Sequence, residues 1–286
     1  MKKKLLDISG KIDPEIVAIY ELIASEAQEK NIKFFIIGAT ARDLVFQHGF
    51  GTEARRATKD IDLGVQVSSW DEFEGLKNGL VETGRFMRTK SAHRLMYEKL
   101  TPVDIVPFGA IKEEDGSISW PPDHEVRMSI VGFEDAYNDA MMVRLKTNPD
   151  LDVLVVSPPS LAVLKLIAWK DRASAGYKDA IDLCFIIRGY LDIGNNERLH
   201  EEHSDLVGED FDYVRAGARL LGRDIANILG EKVMEVLLQI IEEQTAEGGK
   251  FPLVEDMSRG DPREIFEENL ILLKLVKQGI LDVVRH

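Results

Sequence analysis

The chain is 286 residues long and is short of cysteine, of positive charge and of long apolar runs. Its one cysteine, Cys184, lies in the run Leu183-Cys184-Phe185-Ile186-Ile187. An internal disulfide is therefore excluded, and a small buried core side chain is the expected role. Lys and Arg number 36 against 50 Asp and Glu, for a net charge of −14. That balance favours solubility and argues against a broad nucleic-acid footprint, although a whole-chain average can hide a basic cleft. No stretch approaches the roughly 18 apolar residues that suggest a membrane span. Met1-Lys2-Lys3-Lys4 has the look of a signal-peptide start, but only Leu5 and Leu6 precede Asp7, too few for a secretory core. A cytoplasmic protein with no membrane partner is the expectation. Internal repeats and low-complexity tracts are also absent.

What is present is the composition of a globular protein, 44% apolar and 30% charged. Asp13 and Pro14 read as the cap and first turn of a helix over 14–30, with Ile16, Ile19, Tyr20, Ile23 and Ala27 at helical spacing. A short apolar strand follows, Lys33-Phe34-Phe35-Ile36-Ile37, and then Gly38 and a helix from about Thr40 to Gln47. Alternation returns at Ile61, Leu63, Val65 and Val67. A helix over 69–82 and strands over 84–88, 93–99 and 101–108 come next, with a hairpin tip expected at Asp115-Gly116 and further strands near 127–131, 141–146 and 151–156. Beyond Ser157-Pro158-Pro159-Ser160 the patterns are helical: 158–171, 177–190, 208–229, 231–246 and 262–283. The expected fold is α+β, with a mixed-sheet domain over 1–156 and an all-helical domain over 157–286.

Asp60 and Asp62 stand two apart on a predicted strand. Strand side chains alternate, so both carboxylates share a face while Ile61 and Leu63 point into a core. Two carboxylates this close repel unless a cation neutralises them, and Mg²⁺ suits such oxygen donors. The pattern alone is weak, because Asp150-Leu151-Asp152 and Asp210-Phe211-Asp212 match it equally. Context separates them: only Asp60 and Asp62 follow a strand, a glycine and a short helix, and precede another strand with an acid. That acid is Asp104, alone in Thr101-Pro102-Val103-Asp104-Ile105-Val106-Pro107-Phe108. A carboxylate there completes a two-metal site, or else faces solvent from an edge strand.

The turn Gly38-Ala39-Thr40-Ala41-Arg42 has small residues and free N–H groups at a helix start, which can receive phosphate oxygens. Thr40 adds a hydroxyl and Arg42 a cation. The plain alternative is a strand-to-helix link kept small for packing. In the helical half, Lys165 interrupts an almost wholly apolar helix, and a buried lysine needs an anionic partner. Arg172 follows on the same face if the helix continues. Asp179 and Asp182, three apart on the next helix, are candidates to orient either cation, with nucleotide phosphate as the other possible partner.

These residues carry a resemblance. A hydrophobic strand, a glycine turn, a short helix, Asp60-Ile61-Asp62 and a later strand aspartate resemble the polymerase β-like nucleotidyltransferases. Leu164-Lys165-Leu166-Ile167-Ala168-Trp169-Lys170-Asp171-Arg172, with Lys178-Asp179-Ala180-Ile181-Asp182, is similar to the AbiEii-type nucleotidyltransferase toxins of abortive-infection systems. The resemblance covers roughly 35–190. It departs at Ala39, where the family has a second glycine or serine, and in the long stretch between Ala39 and Asp60. That stretch implies an inserted loop over 48–59, whose Arg55 and Arg56 are candidate substrate contacts.

The resemblance implies transfer of a nucleoside monophosphate from an NTP to an acceptor hydroxyl. Asp60, Asp62 and Asp104 would hold two Mg²⁺ ions, with Mn²⁺ an alternative, and Lys165 would share the catalytic role. Gly38, Ala39, Thr40, Arg42, Arg172, Lys178, Asp179 and Asp182 would bind the nucleotide. The implied acceptor is RNA, and the implied protein partner is a cognate antitoxin. A small-molecule acceptor, as in antibiotic-modifying relatives, uses the same head and suits the acidic chain. A third version resembles tRNA CCA-adding enzymes through Gly38-x3-Arg42-Asp43, but their Arg-Arg-Asp and Glu-Asp-x-x-Arg elements are missing. A noncatalytic nucleotide-binding module is the reading from another class; Ala39 favours it and the three carboxylates oppose it.

Overall fold

The computed structural model describes residues 5–52, 60–172, 176–259 and 263–284, with side chains in the last stretch from residue 265. The chain divides between Ser157 and Pro158 into two compact units.

The first unit runs β1 (Leu5–Asp7), α1 (Pro14–Glu29), β2 (Lys33–Ile37) and α2 (Gly38–Arg42), which passes into a π-helical turn over Asp43–Gly49. It continues through β3 (Ile61–Gln66), α3 (Trp70–Glu82), β4 (Phe86–Arg88), β5 (Arg94–Tyr97) and β6 (Thr101–Phe108). A small ribbon, β7 (Ser117–Ser119) and β8 (Arg127–Ser129), precedes α4 (Phe133–Asp139), β9 (Met141–Lys146) and β10 (Leu151–Val155). Eight of these strands form one mixed sheet in the order β1-β9-β10-β2-β3-β6-β5-β4. Strand β3 lies antiparallel to β2 and parallel to β6, and β5 returns antiparallel on the far side of β6.

Local chemistry accounts for these elements. The Asp13 carboxylate accepts from Glu15 N–H at 2.8 Å, and Pro14 fills a first-turn position whose N–H would lack a partner. Ser69 caps α3 by accepting from Glu72 N–H. On β3, Ile61, Leu63 and Val65 are buried on one face of the sheet; on the other, in the row of Gly64, Phe35 packs mostly edge to face with Phe108, Phe133 and Tyr137. Gly64 belongs to that packing: a Cβ there would come 2.3 Å from the Phe35 ring, so the aromatic leaves no room for any side chain.

Among its described residues the second unit has helices and connecting turns and no strand. It comprises α5 (Pro158–Asp171), α6 (Tyr177–Arg188), α7 (Asn195–Glu202), α8 (Tyr213–Ile228), α9 (Glu231–Glu243), α10 (Pro252–Met257) and α11 (Arg263–Val284). From Ser160 to Ile167 every residue of α5 is buried, as its nearly all-apolar circumference requires. Among the described residues, no helix is long and apolar enough to cross a membrane.

Several elements depart from the sequence expectation. Asp115-Gly116 is a turn leading into β7, because Asp115 accepts from both the N–H and the hydroxyl of Ser117; the β7–β8 tip is 120–126. The helix expected from 208 begins at Tyr213, where Asp212 takes the capping position and accepts from Arg215 N–H at 2.8 Å. The helix expected over 40–47 starts at Gly38 and widens into the π-turn. Strand β1 and helices α4, α7 and α10 span only 3, 7, 8 and 6 residues, too few to display a period.

Candidate active site

Strand pairing sets the site. Ile37 is opposite Asp62, Asp62 opposite Asp104, and Asp104 opposite Arg94. Residues in one such row share a face of the sheet, so both carboxylates and the guanidinium project to the same side. Asp60 immediately precedes β3 and has its side chain about half exposed, at 49%, whereas that of Asp104 is 15% exposed.

The β2–α2 turn fits closely against this row. Gly38 has a φ of +70°, and a Cβ on it would lie 2.1 Å from Asp62 Oδ2. Only glycine satisfies both the backbone conformation and the contact. Thr40 Oγ1 donates to the Asp60 carbonyl at 2.6 Å, tying the turn to the start of β3. Ala39 is half-buried between them. Arg42 is buried, and its Nε and Nη2 donate to Asp43 Oδ1 at 2.9 and 2.6 Å. The hydroxyl and the cation expected to face phosphate thus both have partners inside the protein. Arg55 and Arg56 lie outside the described residues.

Arg94 was not anticipated from the sequence. Its Nε and Nη2 donate to the two oxygens of Asp104 at 2.6 and 2.7 Å, and Nη2 is 3.8 Å from Asp60 Oδ2. Its pKa is held above the ordinary arginine value, first by the hydrogen bonds to Asp104. Desolvation opposes this, and the charges of Asp104, Asp60 and Asp62 add to it. His93 Nε2 stands 4.0 Å from Asp104 Oδ1, with its ring against Trp120. The signal that could have found Arg94 is the hairpin itself. The strands read from the sequence, 93–99 and 101–108, would put residue 94 opposite 106; the three-residue turn over 98–100 pairs Tyr97 with Thr101 and so brings residue 94 opposite residue 104.

Tyr20 of α1 is fully buried, and among the described residues its hydroxyl has no hydrogen-bond partner. Burial, and then the charge on Asp62, push its pKa far up, so it stays a neutral phenol.

In the second unit, Lys165 of α5 is buried and its Nζ meets Asp179 Oδ1 at 3.0 Å and Asp182 Oδ2 at 2.6 Å, both on α6. Burial works against its ammonium, but Asp182 and then Asp179 outweigh it and raise the lysine's pKa. Arg172 Nη1 reaches the other Asp179 oxygen at 2.9 Å, with most of its own side chain in solvent. These four expected residues therefore form one cluster. Lys178 is exposed, and among the described residues none of the cluster's ion pairs involves it.

Three aspartates with hard oxygen donors match what Mg²⁺ or Mn²⁺ requires of a protein site. As the side chains stand, Asp104 is engaged by Arg94. Among the described residues no three His, Cys, Asp or Glu side chains are gathered into a ready cage. The donor set suits a divalent cation, and the set as arranged is open.

Chains of known structure to which this one is similar include the antibiotic-resistance factor ANT(2'')-Ia, at 16% identity over 68% of this chain and 100% of that one, with a TM-score of 0.36. The Thermotoga maritima CCA-adding enzyme complexed with tRNA aligns at 12% identity over 96% of this chain and 84% of that one, with a TM-score of 0.32. No curated protein matches. The family described as "Nucleotidyl transferase AbiEii toxin, Type IV TA system" matches residues 22–256, a span that holds the carboxylate row, the glycine turn and the Lys165 cluster alike. On that match the chain is a nucleotidyltransferase and belongs to the AbiEii toxin family.

Proposed function

We propose that this chain moves a nucleoside monophosphate from an NTP to a hydroxyl of RNA, the tRNA 3′ end foremost, in a divalent-cation-dependent reaction. The observation that supports it most is the cross-strand row of Asp62 and Asp104, with Asp60 at its margin and Gly38 closing on Asp62. Carboxylates this close oppose one another unless a positive charge answers them, and Arg94, paired with Asp104, answers only part of that charge, which leaves a role for a divalent cation. Asp60, Asp62 and Asp104 would hold Mg²⁺, two ions by the family's pattern, with Mn²⁺ the alternative. When bound, such ions neutralise phosphate charge and acidify the attacking hydroxyl.

The chain's own groups do the rest. Backbone N–H groups over Gly38–Thr40 receive the triphosphate, and Asp104 takes the proton of the acceptor hydroxyl. The hydroxyl oxygen bonds to the α-phosphorus, the bond from that phosphorus to its bridging oxygen breaks, and pyrophosphate leaves. Lys165 and Arg172 carry the role that the family gives this segment, with Asp179 and Asp182 fixing their positions. As a member of a toxin family, the chain acts with a cognate antitoxin that limits it. A net charge of −14 favours a second acceptor class, a small and cationic molecule.

The test is incubation with Mg²⁺, each α-labelled NTP in turn and total RNA, beside Asp60→Asn and Asp62→Asn. Label in RNA that depends on both aspartates supports the proposal, and sequencing the product names the base and the acceptor. Label confined to small-molecule fractions would exchange the RNA acceptor for the second class.

A further inference from the structure

We propose that Arg94 is a built-in competitor for the metal site: its guanidinium holds the Asp104 carboxylate, and a divalent cation gains that carboxylate only as Arg94 lets go. The inference rests on the metal-dependent reading above and assigns a positioning role to a residue outside the carboxylate set.

The geometry carries the argument. Arg94 lies in register with Asp104 and Asp62 on adjacent strands, so it enters the row from the sheet itself and not from a loop. Both oxygens of Asp104 are occupied, by Nε at 2.6 Å and by Nη2 at 2.7 Å, in the planar fork that guanidinium and carboxylate share. The same Nη2 is 3.8 Å from Asp60 Oδ2, so one positive charge spans two of the three acids. A carboxylate whose two oxygens each accept a charge-assisted hydrogen bond is a poor ligand and a poor base. The arginine side chain is 34% exposed, so it has solvent to swing into. Without a cation, Arg94 offsets the repulsion within the row. With one, the same positive charge opposes binding and leaves Asp104 free to take a proton only after the fork opens.

The full-length protein is titrated with Mn²⁺ alone, and free Mn²⁺ is followed by electron paramagnetic resonance. The chains compared are the native one, Arg94→Gln, Arg94→Lys, Asp104→Asn, the Arg94→Gln/Asp104→Asn double variant, and Asp60→Asn/Asp62→Asn. Arg94→Gln is expected to tighten Mn²⁺ binding roughly tenfold to a hundredfold, the worth of one charge-assisted bidentate pair. Arg94→Lys, which keeps the charge and loses the fork, is expected to fall between. Most of the gain disappears when Asp104 is already Asn, because the contested carboxylate is gone. Unchanged or weaker binding in a folded Arg94→Gln chain overturns the inference, as does an equal gain in the Asp104→Asn background. If Arg94→Gln does not fold, Arg94→Lys decides alone, and binding no tighter than native overturns the inference. Absence of Mn²⁺ binding in the native and Arg94→Gln chains alike, or binding that persists without Asp60 and Asp62, removes the metal-dependent reading as well. Normal binding with no response to Arg94 removes only the competitor.

Discussion

The Asp62 carboxylate lies against the α-carbon of Gly38, so near that a Cβ on the glycine would stand 2.1 Å from Oδ2. The contact joins the end of β2 to the middle of the row that would bind the cation. Replacing Gly38 with Ala forces two changes together, a strained backbone at a φ of +70° and a displaced Asp62. The expected cost is roughly 1–3 kcal/mol of stability. A larger proportional loss should appear in nucleotide transfer, because a carboxylate shifted by an ångström no longer shares its ligand position. Urea unfolding beside the labelled-transfer assay separates the two effects, and an Ala variant with native transfer would show that the contact is dispensable.

The row was half legible in the sequence. Asp60, Asp62 and Asp104 announce themselves because acids are out of place in strands that otherwise read as buried, and Gly38 because it ends one. Arg94 does not, since an arginine beginning a short strand is ordinary until pairing register puts it opposite residue 104. Arg42 and Thr40 show the converse. Their side-chain types suit a phosphate site, but Asp43 and the Asp60 carbonyl claim them, and local sequence says nothing of competing partners. Lys165 was readable for a different reason. A lone cation in an apolar helix must be answered, and Asp179 and Asp182 were the acids at helical spacing on the next element.

Lys165 is the member of its cluster on which stability depends. Its Nζ serves two buried carboxylates, Asp179 and Asp182. Lys165→Met leaves both without their main counter-charge and is expected to cost roughly 3–5 kcal/mol. Arg172 differs, because its side chain is 54% exposed and water can answer for what it leaves. Arg172→Gln should cost under about 1 kcal/mol. That contrast makes Arg172→Gln the informative variant for catalysis, since a drop in transfer there cannot be ascribed to unfolding. Equal destabilisation by the two changes in urea would contradict this account of the cluster.

Acid sensitivity of the second unit should centre on Asp282. Its pKa is pushed well below the ordinary 3.8, first by the hydrogen bond from Arg219, with Gln278 and Arg223 adding against a desolvation cost. Nε and Nη2 of Arg219 donate to its two oxygens at 2.8 and 2.9 Å, and Arg223 Nε adds a third bond at 3.0 Å. A carboxyl with a depressed folded pKa binds fewer protons folded than unfolded. Its contribution is therefore present in full above the unfolded value and is lost as pH falls from there through the folded one. Urea midpoints taken from about pH 5 down to about pH 2.5 should fall less steeply for Asp282→Asn than for the native chain. Parallel curves would mean that other carboxylates govern the acid limb.

Tyr20 tests whether a buried hydroxyl within reach of the Asp62 charge is left unsatisfied by the protein alone. Its ring is fully buried in α1, its hydroxyl has no partner among the described residues, and the Asp62 charge reinforces burial in keeping it protonated. A buried donor left unpaired costs roughly 1–3 kcal/mol, whereas a phenylalanine ring in the same place costs almost nothing. Tyr20→Phe is therefore expected to raise stability by about 1 kcal/mol, read as a higher urea midpoint with an unchanged slope. A fall in the midpoint would show that the hydroxyl has a partner in solution. If stability rises while transfer drops, the protein keeps an unsatisfied donor within the field of Asp62 for its chemistry, at a cost the fold then carries.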